Sequence, residues 1–229
     1  MSGGNDDHTP ATYASPPCLM HELDPDFAGL VHTVDPRQHE DVMRWRKGER
    51  QRLIADRLAL DVSLRSEYSR RIAAHLREIV GDVRDVTVSA YWPFRGEPDL
   101  RDLMATISAD GGRCALPVVV ERHRPLVFRQ WSPGRPLVRG VWNIPVPAEG
   151  AEIIPDVVIA PVVGFDPRCY RLGYGGGFFD RTLAALPARP RVLGVGYSGA
   201  AIPTIYPQPH DIAMDLIVTE DGVTSPPAT

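Results

Sequence analysis

The segment best suited to chemistry is rich in glycine. Residues 171–181 read RLGYGGGFFDR, with four glycines in five positions and an arginine at each end. Glycine adopts backbone angles that other residues avoid, and it lets a ligand approach the main chain closely. An apolar run precedes this segment and a helical pattern follows it, and N–H groups at a helix start can hold phosphate. Arg171 and Arg181 add positive charge suited to a polyphosphate.

The spacing of this segment differs from two common phosphate-binding signatures. No Gly-Lys-Ser/Thr follows the glycines, so the segment is not a Walker A loop. Phe178 stands where the dinucleotide-binding fingerprint needs its third glycine. The pattern therefore predicts phosphate binding without naming a class of ligand. A tight strand-to-helix turn that binds nothing is the alternative interpretation.

A basic helix is predicted from Asp41 to about Leu60. Because each helical residue turns by about 100°, Arg46, Arg50 and Arg57 project within roughly 40° of one another. Leu53 lies in the same stripe. Because the stripe combines charge with apolar surface, we interpret it as a helix face turned toward a site. A basic face exposed to solvent is the alternative interpretation.

Two aromatic segments could surround a planar ligand. Residues 91–99 (YWPFRGEPD) follow a predicted strand, and their aromatic rings could sandwich a flat ring while Glu97 accepts hydrogen bonds from ring N–H groups. Edge packing is the alternative for these rings, and Asp99 is predicted to cap the next helix. Trp142 begins a stiff loop with two prolines, where it is either a stacking wall or part of the core.

Acidic residues near the C-terminus suggest a cation site. His210 and Asp211 are adjacent, which is poor geometry for a catalytic dyad, so we expect them to order a turn. Asp215 begins the last predicted strand. Together with Asp180 it offers two carboxylates, the ligand type that hard cations prefer. A helix cap or a surface charge is the alternative for each.

The elements that must position these residues indicate an α/β fold. Helices are predicted over residues 41–60, 64–79, 99–108 and 180–186, the second one capped by Asp61 or Ser63. Strands are predicted over residues 86–91, 114–120, 127–131, 157–163, 192–197 and 216–218. Residues 157–163 are continuously apolar, which is typical of a buried parallel strand. We therefore expect a single α/β domain, with a mixed, mostly parallel sheet flanked by helices and the site at the strand ends.

The composition narrows the class of protein. The chain has 229 residues, 43% of them hydrophobic and 24% charged, as expected of a soluble protein. A net charge of −4 argues against a general nucleic-acid binder. No apolar run reaches the roughly 20 residues of a membrane span, and no secretory signal is recognisable. The three cysteines suggest reduced thiols in the cytoplasm.

The ends of the chain differ from its centre. Residues 1–40 are rich in Pro, Asp, His, Ser and Gly without periodicity, which predicts an irregular extension. The α/β domain is expected over residues 41–222, followed by a short tail over 223–229.

The order of these motifs resembles one family, 5-formyltetrahydrofolate cyclo-ligase, also called methenyltetrahydrofolate synthetase. The resemblance runs through residues 44–220. It rests on the following segments: Arg46 and Lys47 with Arg50, Tyr91 to Glu97, Trp142 to Pro147, Arg171 to Asp180, and His210 to Glu220. The glycine segment with its aspartate is the most specific of these.

The resemblance implies an activity. ATP phosphorylates the formyl oxygen of 5-formyltetrahydrofolate, the neighbouring amine nitrogen attacks the activated carbon, and phosphate leaves. The products are 5,10-methenyltetrahydrofolate, ADP and phosphate, and Mg²⁺ assists. The implied partner is a reduced folate, with no nucleic acid or membrane, and we expect a monomer. The alternatives are an ATP-dependent enzyme that acts on another pterin-like substrate and a folate-binding paralogue without turnover.

The resemblance also implies roles for particular residues. It assigns ATP phosphate to Arg46 or Lys47, Arg50, Arg171, Leu172, Gly173, Tyr174, Gly175, Gly176, Gly177 and Phe178. It assigns the folate to Trp92, Glu97 and Trp142, the metal to Asp180 and Asp215, and catalysis to Arg171 and Asp180. Two features depart from the family pattern. Arg46 stands where the family often has lysine, and Phe178-Phe179 replaces a common tyrosine pair and lacks its hydroxyls.

Overall fold

A seven-stranded sheet forms the centre of the protein in the computed structural model, which describes residues 36–228. Its strands, in the order in which they lie side by side, are β11 (Gly222–Thr224), β10 (Leu216–Thr219), β9 (Arg191–Val195), β6 (Val157–Pro161), β1 (Thr87–Ser89), β2 (Arg113–Val118) and β3 (Val127–Gln130). The five central strands run parallel, and β3 and β11 are antiparallel edges. Two separate hairpins are formed by β4 (Leu137–Arg139) with β5 (Pro145–Pro147) and by β7 (Gly164–Phe165) with β8 (Arg171–Leu172). The predicted α/β class and mixed, mostly parallel sheet are confirmed.

Four α-helices accompany the sheet within residues 36–228: α1 (Pro36–Ala59), α2 (Val62–Val80), α3 (Arg101–Ala109) and α4 (Phe178–Ala185). Asp61 caps α2, because its carboxylate accepts the N–H of Ser63 at 2.7 Å. The N-cap of α3 is Leu100 and not the predicted Asp99, but the carboxylate of Asp99, one residue earlier, accepts the N–H of Arg101 at 3.0 Å and so satisfies the first amide of the helix. No helix in this range is long and apolar enough to cross a membrane.

The core lies on both faces of the sheet. In β6, Val157 and Ile159 point to one face, where Ile72 of α2 and Met104 of α3 pack. Val158 and Ala160 point to the opposite face, which α4 covers with Leu183. Burial on both faces explains why this strand reads as a continuous apolar run.

Some predicted boundaries change. Helix α1 begins at Pro36, five residues before the predicted start, because proline suits the first helical position and no helix breaker follows it before residue 41. At the other end, β11 pairs with β10 and uses residues assigned to the tail, because a turn at Glu220 and Asp221 returns the chain along β10, and Gly222, with a φ of 143°, begins β11. The rest of the predicted N-terminal extension, residues 1–35, lies outside the described residues.

The chain divides after Arg44 into two units. In the first unit the structure describes residues 36–44, which belong to α1. The second unit begins at Trp45 and contains the sheet, the other three helices and every contact described below.

Candidate functional site

The parallel strands end at one edge of the sheet, where most of the candidate residues collect. Asp215 does not join them, because it precedes β10 and binds the N–H of Val192 near the start of β9, at the opposite ends of these strands. Residues 91–97 follow β1, and we call them the aromatic segment. The chain leaving β6 forms the small β7–β8 hairpin, after which residues 173–177 form the glycine loop that leads into α4. In open α/β sheets, ligands bind outside the carboxyl ends of the strands.

The glycine loop lets arginines lie against its backbone. A Cβ atom on Gly173 would lie 2.6 Å from Nη1 of Arg171, and one on Gly175 would lie 3.4 Å from Cζ of Arg50. Gly175 and Gly177 also have positive φ angles of 97° and 61°, which favour glycine. The loop runs from β8 into α4, which confirms the predicted strand–loop–helix arrangement, and the positive φ angles favour glycine at Gly175 and Gly177.

Two arginines of α1 lie near this loop. Nε of Arg50 donates to the carbonyl of Gly173 at 2.7 Å. Burial and the neighbouring charge of Arg46 lower the pKa of Arg50. Arg46 is buried and donates to both carboxylate oxygens of Asp211, at 2.8 and 3.2 Å. Lys47, in contrast, is exposed. Of the two candidates that the sequence left open, Arg46 is therefore the one on the buried face.

Arg171 and Asp180 form a buried ion pair. Nη2 of Arg171 lies 2.8 Å from Oδ2 of Asp180. Burial lowers the pKa of Arg171, whereas the negative charges of Asp180 and Asp211 raise it. The other carboxylate oxygen of Asp180 accepts the N–H of Ile212 at 3.3 Å.

Together these side chains form a cationic cluster, made of Arg46, Arg50, Arg171, Asp180 and Asp211. Arg46 and Asp211 act electrostatically on both of the other arginines, so the five groups form one unit. Three guanidinium groups against two carboxylates leave an excess of one positive charge beside the loop. This excess suits a polyphosphate, which guanidinium groups and main-chain amides bind well.

A second group of buried polar residues joins the aromatic segment to the glycine loop. Arg57 donates through Nε to the carbonyl of Arg95 at 2.9 Å and through Nη2 to the hydroxyl of Tyr174 at 2.5 Å. Oε2 of Glu97 accepts the N–H of Phe94 at 2.8 Å. Burial raises the pKa of Glu97 to about 7, although the positive charge of Arg57 opposes this shift.

This second group has unused hydrogen-bonding capacity. Arg57 and Glu97 are only 7% and 6% exposed. Among residues 36–228, Nη1 of Arg57 and Oε1 of Glu97 have no hydrogen-bond partner. Buried donors and acceptors in native proteins are nearly always satisfied. One unsatisfied donor and one unsatisfied acceptor therefore suit a ligand that carries both kinds of group.

The two predicted tryptophans differ in environment. Trp92 packs edge-on against Trp131, with ring centroids 5.9 Å apart, and Arg101 lies over its ring. Trp142 is 58% exposed, has a φ of 54°, and contacts Phe178 at the start of α4 edge-on at 5.7 Å. Trp142 is thus an exposed ring beside the glycine loop, whereas Trp92 has the contacts of a packing residue.

The two predicted metal ligands are both engaged with protein groups. Asp215 accepts the N–H of Val192 at 2.6 Å and Nη2 of Arg189 at 2.9 Å, while Asp180 pairs with Arg171. Among residues 36–228, no group of three or more histidines, cysteines, aspartates or glutamates could hold a metal ion. The assignment of Asp180 and Asp215 to a metal stays a prediction.

Sequence reasoning missed three contributions. Arg57 belongs to the predicted basic stripe, and its seven-residue spacing from Arg50 is the sequence signal for its position in the site. The hydroxyl of Tyr174 was missed because a glycine loop suggests only backbone contacts. Asp211 does order a turn, as predicted, since it accepts the N–H of Gln208 at 2.7 Å. Its pairing with Arg46, distant in sequence, carried no local signal.

Comparisons with known proteins agree with this geometry. A model of the 5-formyltetrahydrofolate cyclo-ligase family matches residues 42–220. The 5-formyltetrahydrofolate cyclo-ligase of Mycolicibacterium smegmatis is 34% identical over 141 residues, which are 58% of this chain and 73% of that protein. The Escherichia coli K12 protein of the same name is 29% identical over 174 residues, which are 73% of this chain and 96% of its own.

A solved structure is similar in fold as well. The NMR structure of Aquifex aeolicus 5,10-methenyltetrahydrofolate synthetase has a TM-score of 0.69 and 26% identity, over 80% of this chain and 94% of that one. The matched residues span the glycine loop, the cationic cluster and the aromatic segment. The chain therefore belongs to the 5-formyltetrahydrofolate cyclo-ligase family.

Proposed function

We propose that this protein converts 5-formyltetrahydrofolate to 5,10-methenyltetrahydrofolate and uses ATP, with release of ADP and phosphate. The observation that carries the proposal is the juxtaposition of two different sites. The glycine loop with its cationic cluster suits a triphosphate, and Glu97 with Arg57 offers the unsatisfied donor and acceptor that a pterin ring could use. Tyr174 belongs to the loop and contacts Arg57, so the two sites adjoin.

The ATP side of the proposal rests on the loop and its arginines. Main-chain amides of residues 172–178 and the guanidinium groups of Arg46, Arg50 and Arg171 would bind the phosphates. Phosphoryl transfer depends mostly on positioning and on charge neutralisation, so these groups suffice without a protein nucleophile. Arg171, oriented by Asp180, is the proposed catalytic cation, because it is buried at the start of the loop, where a Cβ on Gly173 would lie 2.6 Å from its Nη1.

The folate side rests on Glu97 and the aromatic residues. Glu97 would accept hydrogen bonds from the pterin through Oε1, and the positive charge of Arg57 would favour the ionised carboxylate against the burial that raises its pKa. The exposed ring of Trp142 is available for stacking on the folate. Trp92 would act mainly through packing. Once the formyl oxygen is phosphorylated, a held pterin presents its neighbouring amine nitrogen to the activated carbon, and ring closure expels phosphate.

Mg²⁺ belongs to the proposal, with Asp180 and Asp215 as its candidate carboxylates. Mg²⁺ usually binds through one or two carboxylates together with substrate phosphates and water, so a dedicated cluster is unnecessary. Asp180 fits better, since its Oδ1 accepts only a 3.3 Å bond from Ile212. Both oxygens of Asp215 accept shorter bonds, and Asp215 lies at the opposite ends of the parallel strands from the glycine loop. When bound, the ion would neutralise charge on the phosphates. We further propose a monomer that acts in the cytoplasm.

The test of the function is spectroscopic. The protein is mixed with 5-formyltetrahydrofolate, Mg²⁺ and ATP, and methenyl absorbance is followed. We expect a rise that requires ATP. A protein that binds the folate but gives no rise would be a non-catalytic paralogue. A protein that hydrolyses ATP only with another pterin would be the related enzyme named above.

Replacing Arg50 by alanine tests the ATP side. The variant loses a guanidinium beside the loop, and a charged hydrogen bond contributes about 1.5–3 kcal/mol. We therefore expect KM for ATP to rise roughly tenfold to hundredfold, with KM for the folate changed less than about twofold. Steady-state kinetics with each substrate varied in turn measures both constants.

Arg52→Ala is the matched control for this variant. Arg52 lies on the same helix but is exposed and pairs with Glu49 and Asp56 of its own helix. Both KM values should stay near wild type in this control. Equal rises of both KM values in Arg50→Ala would show that Arg50 is not a phosphate residue.

A further inference from the structure

We infer that the contact between Arg57 and Tyr174 couples nucleotide binding to folate binding. The inference rests on the proposed function and goes beyond it, because it concerns how the two sites communicate. Tyr174 lies within the glycine loop, yet its side chain contacts the aromatic segment instead of the phosphate side. Its hydroxyl accepts a hydrogen bond from Nη2 of Arg57 at 2.5 Å and donates one to the carbonyl of Phe94 at 3.4 Å.

Arg57 joins the aromatic segment to the loop through two of its nitrogens. Nε holds the carbonyl of Arg95, and Nη2 holds the hydroxyl of Tyr174. The guanidinium also lies over the ring of Tyr174, with Cζ 5.8 Å from the centroid. A displacement of the loop would therefore disturb the carbonyl of Arg95, two residues before Glu97. Because Arg57 is 7% exposed, little water is available to replace a lost bond.

Glu97, the last residue of the aromatic segment, is fixed by a hydrogen bond within that segment. The N–H of Phe94 donates to Oε2 of Glu97, while the carbonyl of the same residue faces the hydroxyl of Tyr174. The rings of Phe94 and Tyr174 also contact, with centroids 5.8 Å apart. A shift of Tyr174 would therefore move Phe94 and, through it, the carboxylate of Glu97, which is proposed to bind the folate.

The glycine loop is also held by α1, the helix that carries Arg57. Arg50 donates to the carbonyl of Gly173, the residue before Tyr174, and its Cζ lies against Gly175, the residue after it. Arg50 and Arg57 are seven residues apart on one face of α1. A triphosphate that engages Arg50 and the loop would therefore fix the backbone on both sides of Tyr174. Its hydroxyl would then be fixed against Arg57 and the aromatic segment.

The consequence is positive thermodynamic coupling. A nucleotide that orders Tyr174 also orders the segment that carries Glu97, so the folate binds to a site already arranged. Coupling of this kind is reciprocal and commonly amounts to about fivefold or more in affinity. The coupling should depend on the hydroxyl of Tyr174 and on the two hydrogen bonds that Arg57 donates, to that hydroxyl and to the carbonyl of Arg95.

The experiment measures linkage in binding, without turnover. The dissociation constant of 5-formyltetrahydrofolate is determined by calorimetry with and without a saturating non-hydrolysable ATP analogue and Mg²⁺. We expect the analogue to tighten folate binding of the wild type at least about fivefold. In Tyr174→Phe and in Arg57→Lys the factor should fall below about twofold. The double variant should lose no more than either single one, because both changes break one connection.

Tyr197→Phe is the matched control. The hydroxyl of Tyr197 also donates a hydrogen bond to the aromatic segment, to the carbonyl of Gly96 at 3.2 Å. Tyr197, however, follows β9 and lies outside the glycine loop. Its linkage factor should equal that of the wild type. Retained coupling in Tyr174→Phe, equal loss in Tyr197→Phe, or no coupling in a wild type that binds both ligands would each overturn the inference. A wild type that binds neither ligand would instead overturn the proposed function.

Discussion

Replacing Glu97 by glutamine is expected to stabilise the protein at pH 8 while weakening its use of 5-formyltetrahydrofolate. Burial raises the pKa of Glu97 from 4.5 to about 7. The folded state therefore binds a proton more readily than the unfolded state, and ionised Glu97 destabilises the fold. This cost is absent well below pH 4.5, grows as the pH rises toward 7, and is fully present above pH 7.

The size of the stability gain follows from the shift in pKa. At 1.36 kcal/mol per pKa unit, Glu97→Gln should raise the free energy of unfolding by about 3 kcal/mol at pH 8 and by less than about 1 kcal/mol at pH 5. The amide can still accept the N–H of Phe94 through its oxygen. Urea unfolding at the two pH values measures both differences. A gain of equal size at pH 5 and pH 8 would show that ionisation of Glu97 is not its cause.

The same variant should show a defect in folate kinetics. A charged hydrogen bond contributes about 1.5–3 kcal/mol, so KM for the folate should rise roughly tenfold to hundredfold, with KM for ATP much less affected. Glu121→Gln is the control, because Glu121 is exposed and pairs only loosely with Arg124 at 3.6 Å. Unchanged folate kinetics in Glu97→Gln would remove Glu97 from the site.

Replacing Arg171 by methionine should be the most destabilising single change at the site. The variant leaves the carboxylate of Asp180 buried without its guanidinium partner. Breaking one side of a buried ion pair commonly costs about 3–5 kcal/mol. For a chain of this size, that loss corresponds to a fall in Tm of roughly 6–20 °C. Calorimetry measures the change, and ATP-dependent turnover should be lost as well.

Two further variants separate the buried charge from other effects. The double variant Arg171→Met with Asp180→Leu removes both charges and should regain most of the lost stability, while remaining inactive. Arg77→Met breaks an exposed pair with Asp110 and should cost less than about 1 kcal/mol. A double variant as unstable as Arg171→Met alone would show that the unpaired charge is not the cause.

Local patterns predicted a large part of the fold. The continuous apolar run at residues 157–163 became β6, and the cap at Asp61 begins α2. The stripe of Arg46, Arg50, Leu53 and Arg57 was also correct, since three of these side chains are buried and Arg50 is half-buried. Helical periodicity is a property of neighbouring residues, so it can be read without a structure.

Other features of the site had no local signal. The hairpin of β4 and β5 consists of two three-residue strands, too short for a recognisable alternation. Asp211 pairs with Arg46 across 165 residues, and Tyr174 reaches Arg57 across 117. Such partners depend on how the strands cross over, which single-sequence patterns do not encode.

The sequence by itself determined which groups the protein carries: a glycine-rich loop, a helix face of arginines, and a glutamate among aromatic rings. Only the tertiary structure decided which of these groups are buried, which partners they have and how their pKa values shift. It paired Asp180 with Arg171, and it buried Glu97 deeply enough to raise its pKa to about 7. It also placed the hydroxyl of Tyr174 on Arg57. The physical reason is that spacing and residue type are local, whereas burial and electrostatic partners arise when distant segments pack together.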